Sequence, residues 1–102
     1  MIPGTTPTHT FEIPTEIEKS LIKTVKIVYS QNNKVVFIKE TEDCEIEEGK
    51  ITVRLTQEET LACKFEPFVS IQIRILTHND DALASNVMVD IVQRSLDDEV
   101  IE

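Results

Sequence analysis

The chain has no tryptophan, one tyrosine, two glycines and two cysteines. So few glycines exclude a collagen-like or low-complexity chain. Two cysteines exclude a small scaffold held by a disulfide framework. Cys44 alternates with Ile46, and Cys63 follows Leu61 and Ala62. Free cysteine behaves as a small buried hydrophobe, so both are read as buried thiols, with a disulfide as the alternative. No apolar run approaches the length that spans a bilayer. Met1 to Thr10 has neither a basic start nor an apolar core, so no Sec signal is expected there and the chain should fold in the cytoplasm. Basic residues are also scarce, ten against nineteen acidic, for a net charge of -9. They form no run, and phosphate backbones and anionic membranes repel such a surface. Neither a nucleic acid nor a membrane is expected as a partner.

Chemical motifs are missing as well. His9 and His78 lack the paired spacing of a zinc site. No serine or cysteine sits in a nucleophile-elbow pattern, and no glycine-rich phosphate loop is present. The acidic run from Glu40 to Glu48 lacks the spacing of a calcium loop and reads instead as a solvated strand edge. Asn79-Asp80-Asp81 reads as turn chemistry, because these side chains bond their own backbone. No catalytic, cofactor-binding or metal-ligating residue is assigned, no cofactor is expected, and the chain is read as a non-enzyme.

What is present is alternation. In residues 68–76, Val69, Ile71, Ile73 and Ile75 fall on one side and Ser70, Gln72 and Arg74 on the other. Successive strand side chains point to opposite faces, which predicts a central strand with one face in a core. Residues 21–30 and 34–40 alternate around Asn32-Asn33, and asparagine tolerates the positive φ of a tight hairpin. Residues 50–55 place Ile51, Val53 and Leu55 inward. His9 to Ile13 places Phe11 and Ile13 inward, and Pro14 removes a ladder donor, so this strand is short and at an edge. Residues 85–93 form the last strand, with Val87, Val89 and Ile91 inward. Thr77 to Leu83 is a polar loop.

The period changes once. Thr56, followed three residues later by Glu59, matches the capping box and predicts one helical turn over residues 57–62. Six or seven strands at this spacing, with no helix long enough to cover a sheet, predict an all-β immunoglobulin-like antiparallel sandwich. Its core is expected to hold Val25, Ile27, Val53, Leu55, Ile71, Ile73, Val87 and Val89. A chain of 102 residues is one domain, placed at 9–94, with an extended leader at 1–8 and an acidic tail at 95–102.

The runs Ile51 to Leu61, Ile71 to Thr77 and Ala82 to Ser85 resemble, in order and spacing, small proteins encoded in phages and prophages of Firmicutes. Thr8 to Phe11 and Leu96 to Ile101 fit the same pattern. The chain is similar to the N-terminal immunoglobulin-like modules of phage baseplate upper proteins. The acidic stretch 40–48 and the two cysteines depart from that pattern. The resemblance implies a virion structural protein of the tail or baseplate that acts through protein–protein interaction. Its partners would be other phage structural proteins or itself, as a homo-oligomer, and its final location the virion. A binding module for a carbohydrate or host protein is the alternative. Exposed aromatic faces would favour it, but the tyrosine and most of the four phenylalanines fall at inward-looking strand positions. The candidate partner contacts are Ile2, Phe11, Ile13, Leu96, Val100 and Ile101. Apolar residues at a terminus gain by docking, and an edge strand offers free backbone groups.

Overall fold

The computed structural model describes residues 1–64 and 68–102; Phe65, one of the four phenylalanines, lies outside the described residues. Alternation is what builds the two layers. β2 (Ile22–Gln31) and β6 (Phe68–Thr77) each run for ten residues and pair antiparallel, with Ile27 opposite Ile73 and Tyr29 opposite Ile71. Because side chains alternate, that register puts Val25, Ile27 and Tyr29 on the same inner face as Val69, Ile71, Ile73 and Ile75, all buried. β3 (Lys34–Glu40) returns beside β2 through Asn32 and Asn33, at φ 50° and 63°. Two positive-φ residues in a two-residue loop match the right-handed twist of the strands they join.

The second sheet has β5 (Lys50–Arg54) at its centre, with β1 (Thr8–Glu12) on one side and β4 (Cys44–Glu47) on the other. β1 is an edge strand, as Pro14 predicts. Gly49, at φ +80°, closes the turn between β4 and β5. Ile51 and Val53, with Leu55 just beyond the strand, face the first sheet and are buried against it, with Phe11 and Ile13 from the opposite edge. The fold is therefore an all-β antiparallel sandwich of a five-stranded and a three-stranded sheet.

The helical turn α1 falls at Gln57–Ala62. Thr56 Oγ1 accepts from Glu59 N at 3.1 Å and Glu59 Oε1 accepts from Thr56 N at 2.8 Å, so two orphan amides are satisfied reciprocally. Residues 1–8 pack on this turn. Thr60, wholly buried, accepts from Gly4 N at 3.0 Å and donates to Thr5 O at 2.8 Å.

Two expectations are corrected. The loop after β6 contains a further short strand, β7 (Ala82–Ala84), which pairs with Arg74 to Leu76. This makes eight strands among the described residues. The last strand, β8 (Met88–Ile91), has the opposite facing to that predicted. Val87, Val89 and Ile91 are 61%, 64% and 68% exposed, while Val92 is 1% exposed and Met88 packs against the core. The cause is register. Phe68 pairs with Ile91 and Ser70 with Val89, both on the outer face, so Met88 and Asp90 fall beside Ile71 and Val69 on the inner one. A slip of one residue exchanges every side chain between core and solvent.

Candidate functional site

Three groups of residues stand apart from the ordinary core. The first lies between the sheets at the end where β1 meets β8. His9 shares the inward parity of Phe11 and Ile13, and its ring lies over Tyr29, which in turn stacks on Phe37. The centroid distances are 5.8 and 4.3 Å. Tyr29 Oη and His9 Nδ1 are 2.7 Å apart, and His9 Nε2 lies 3.6 Å from Asp90 Oδ2. An ionised carboxylate only accepts, so the tautomer that satisfies both neighbours has its proton on Nε2 and leaves Nδ1 to accept from the Tyr29 hydroxyl. Asp90 also receives the Met1 nitrogen at 3.2 Å, and that nitrogen donates to Ile91 O as well.

Burial pushes the Tyr29 phenol well above its ordinary value, and Glu59 pushes it further. It therefore keeps its proton and acts as a donor, rather than as a base or nucleophile. Burial also lowers the His9 pKa below 6.5; Asp90 pulls it back up and the ammonium at Met1 pushes it down. A depressed histidine pKa means that the unfolded chain takes up a proton near pH 6.5 that the native chain refuses. Stability should then fall as pH drops through 6.5 and level off below the native pKa. Thermal midpoints of the native chain and of His9→Gln, compared between about pH 7.5 and pH 5, check this. The native chain is expected to lose more than the variant, and equal losses would show that His9 titrates normally.

The second group ties the sheets together. Lys39 is the inward charge of β3 and is buried. Its Nζ reaches Glu59 Oε1 at 2.9 Å and Oε2 at 3.0 Å, joining β3 to α1. Glu59 thus serves both as helix cap and as counter-ion. Both thiols lie near this region, and both are free. Cys63 is buried, and burial first of all, then Asp90 and Glu59, push it up to about 11. Cys44 is half-buried, and its pKa is likewise raised, chiefly by burial. Neither is poised as a thiolate.

The third group is a surface. Val87, Val89 and Ile91 project along β8 on the outer face of the five-stranded sheet, next to Phe68 at 45% exposure. Across the same face, Val89 pairs with Ser70, Ser70 with Ser30 and Ser30 with Val35, itself 59% exposed. β8 is a sheet edge. Ile91 O is turned away from β6 to meet Met1 N, and backbone groups two residues apart point the same way, so those of Val89 also face outward.

Of the contacts predicted from the sequence, Phe11 and Ile13 are buried in the core, so β1 presents only its backbone edge and outward side chains to a neighbour. Ile2 is exposed, and Leu96 almost completely so. Val100 and Ile101 are exposed but held in place. Gln57 Nε2 donates to Ile101 O at 2.9 Å and Ile101 N donates to Gln57 Oε1 at 2.7 Å, so the amide side chain pairs with the tail like a strand. The structure does not bring these six residues together into one patch. The acidic stretch 40–48 is spread over several roles. Asp43 accepts from Glu40 N, Glu48 accepts from Lys19 N, and Glu45 and Glu47 are exposed on β4.

A groove of about 330 Å³ opens between the edges of the two sheets, lined among others by Ile13, Ile17, Ile73, Ile75 and Leu83. It is apolar, with Glu12 at its rim. No helix among the described residues is long and apolar enough to cross a membrane. Compared with protein families, curated proteins and solved structures, the chain matches none.

Proposed function

We propose that the chain is a non-enzymatic assembly module that works by protein–protein contact, as a tail- or baseplate-associated component of a phage or prophage particle. The observation that carries the contact role is the row Phe68, Val87, Val89 and Ile91, exposed on the outer face of the five-stranded sheet at its β8 edge. Fully burying a valine or isoleucine contributes about 1.5–3 kcal/mol, so a chain that turns Val87, Val89 and Ile91 outward forgoes part of that contribution. A partner that covers them recovers it. Exposed contiguous apolar patches mark association sites. The phage setting rests on the resemblance of the runs at Ile51, Ile71 and Ala82. The binding-module alternative has one specific feature in its favour, the exposed ring of Phe68.

A pull-down from lysate of the phage-producing host tests both readings. The full chain is compared with Val89→Lys and with a form lacking residues 96–102. Recovery of identified tail or baseplate proteins by the full chain and not by Val89→Lys is the expected result. No phage protein recovered by any form, with a clean glycan-array signal that Phe68→Ala abolishes, would move the assignment to a carbohydrate-binding module.

A further inference from the structure

The groove between β1 and β7 lies between two strand edges, and we infer that it receives an extended segment of another protein. That segment alternates apolar residues with lysine or arginine and adds to β1 as an antiparallel strand. The surface is separate from the outer row on β8, so this is a second contact and does not rest on the first.

The first ground is the backbone. Leu55 N donates to Pro7 O and Ile13 N donates to Gly49 O, both at 2.9 Å. Backbone groups two residues apart point the same way, so the odd-numbered residues of β1 are the ones that bond to β5. The N–H and C=O of Thr8, Thr10 and Glu12 therefore point away from the sheet, and no hydrogen bond to them is present among the described residues. β7 has the same arrangement on its side. Ser85 N donates to Ile73 O and Thr77 N donates to Asp81 O, which turns the backbone of Ala82 and Ala84 outward. Donors and acceptors that repeat every second residue are the complement of an extended chain.

The second ground is the lining. A strand laid along β1 continues its alternation. The inward side chains share the parity of Phe11 and Ile13 and enter a space of about 330 Å³ over Ile17, Ile73, Ile75 and Leu83. The side chain between them points outward, beside Glu12.

The third ground is charge, and it selects the occupant. Glu12 is exposed at the rim, and Ile17 enters the groove between Glu16 and Glu18, both exposed. Lys50, opposite Glu12 on β5, pairs instead with Glu47 at 3.4 Å. Lys26 and Arg74 are cross-strand neighbours on the outer face of the five-stranded sheet, so the β1 side of the groove is the acidic one. Opposite charges facing each other across a strand pair contribute, and like charges destabilise. A lysine or arginine between the two apolar residues therefore suits the site. A second copy suits it poorly, because its own β1 brings another Glu12 and its tail brings Asp97, Asp98 and Glu99.

Titration of the full chain with the peptide acetyl-Thr-Lys-Val-Lys-Val-Lys-Thr-amide, followed by calorimetry and amide exchange, tests this. The expected result is saturable binding that slows exchange at Thr10 and Glu12. With valines inward, the lysine N–H groups face β1. The same peptide methylated on each lysine backbone nitrogen keeps its side chains and charge, loses those donors, and should show no saturable binding. A counterpart with glutamate in place of lysine should bind about tenfold more weakly or worse. Glu12→Lys should weaken binding of the lysine peptide by roughly tenfold at low salt and by much less at high salt. Glu12 is exposed, so the variant's thermal midpoint should stay close to that of the native chain. No saturable binding of the lysine peptide at millimolar concentration overturns the inference. So does equal binding of the methylated or the glutamate peptide, or slowed exchange confined to residues away from β1. The Val89→Lys pull-down reads the outer row on β8, so the two results stand or fall separately.

Discussion

Glu59→Ala should lower the unfolding free energy by about 3–5 kcal/mol, read as a drop in urea midpoint at unchanged slope. Two losses combine in that figure. The alanine removes the side chain that accepts from Thr56 N, which is worth about 1 kcal/mol as a helix cap. It also leaves the Lys39 ammonium, buried on the inner face of β3, without its two carboxylate oxygens at 2.9 and 3.0 Å. Of the two losses, the uncompensated buried charge costs more. Glu59→Gln separates them, because its amide oxygen can still accept from Thr56 N while the negative charge is gone. That variant should therefore keep most of the capping contribution and lose most of the ionic one. If Glu59→Ala costs less than about 1 kcal/mol, water reaches the ammonium and the contact behaves as a surface pair.

Ile27→Ala and Ile73→Ala form the second test, because they remove the same atoms from cross-strand neighbours. Each should cost within about 2–5 kcal/mol, a large part of the roughly 5–15 kcal/mol that holds a domain folded. Ile27 should lie near the top of that range. It is wholly enclosed between the sheets, so the space left by the deletion has no way to collapse. Ile73 borders the groove between β1 and β7, where Ile17 and Leu83 have room to move in. Its deletion should cost less. Equal losses at the two positions would show that the groove edge is packed as rigidly as the centre.

Legibility in the sequence followed how strongly each stretch committed to one period. In β6, alternation from Val69 to Ile75 is unbroken, and the structure follows it residue for residue. Thr56 and Glu59 carry their geometry in their side chains, so α1 could be placed to the residue. Asn32-Asn33 did the same for the hairpin. β8 was misread because both of its parities contain apolar residues. The odd set, Val87, Val89 and Ile91, is uniformly apolar; the even set, Met88, Asp90 and Val92, contains a charge. Alternation alone therefore chooses the odd set. The even set goes inward because Asp90 finds His9 and Met1 at the end of the sandwich, a partnership that joins opposite ends of the chain and leaves no local trace. For the His9–Tyr29 contact the signal was available. His9 shares parity with Phe11 and Ile13, and Tyr29 with Val25 and Ile27, so both rings were bound for the same interior. The groove depends on how far the two sheet edges stand apart, which no single stretch encodes.

The pairing of β2 with β6 bears on how fast this chain can reach its native state. Ile27 meets Ile73 and Thr10 meets Thr52 only after long intervening segments have been brought round. Domains dominated by such distant pairings typically fold over milliseconds to seconds. The β2–β3 hairpin is local and can form within about 1–10 μs. It offers β6 a template before that distant pairing forms. Until β6 docks, the outward-turned backbone of β2 remains open to any neighbouring chain emerging from synthesis. Lys23 and Lys26, exposed on that strand, then serve during folding as like-charged guards between nascent copies.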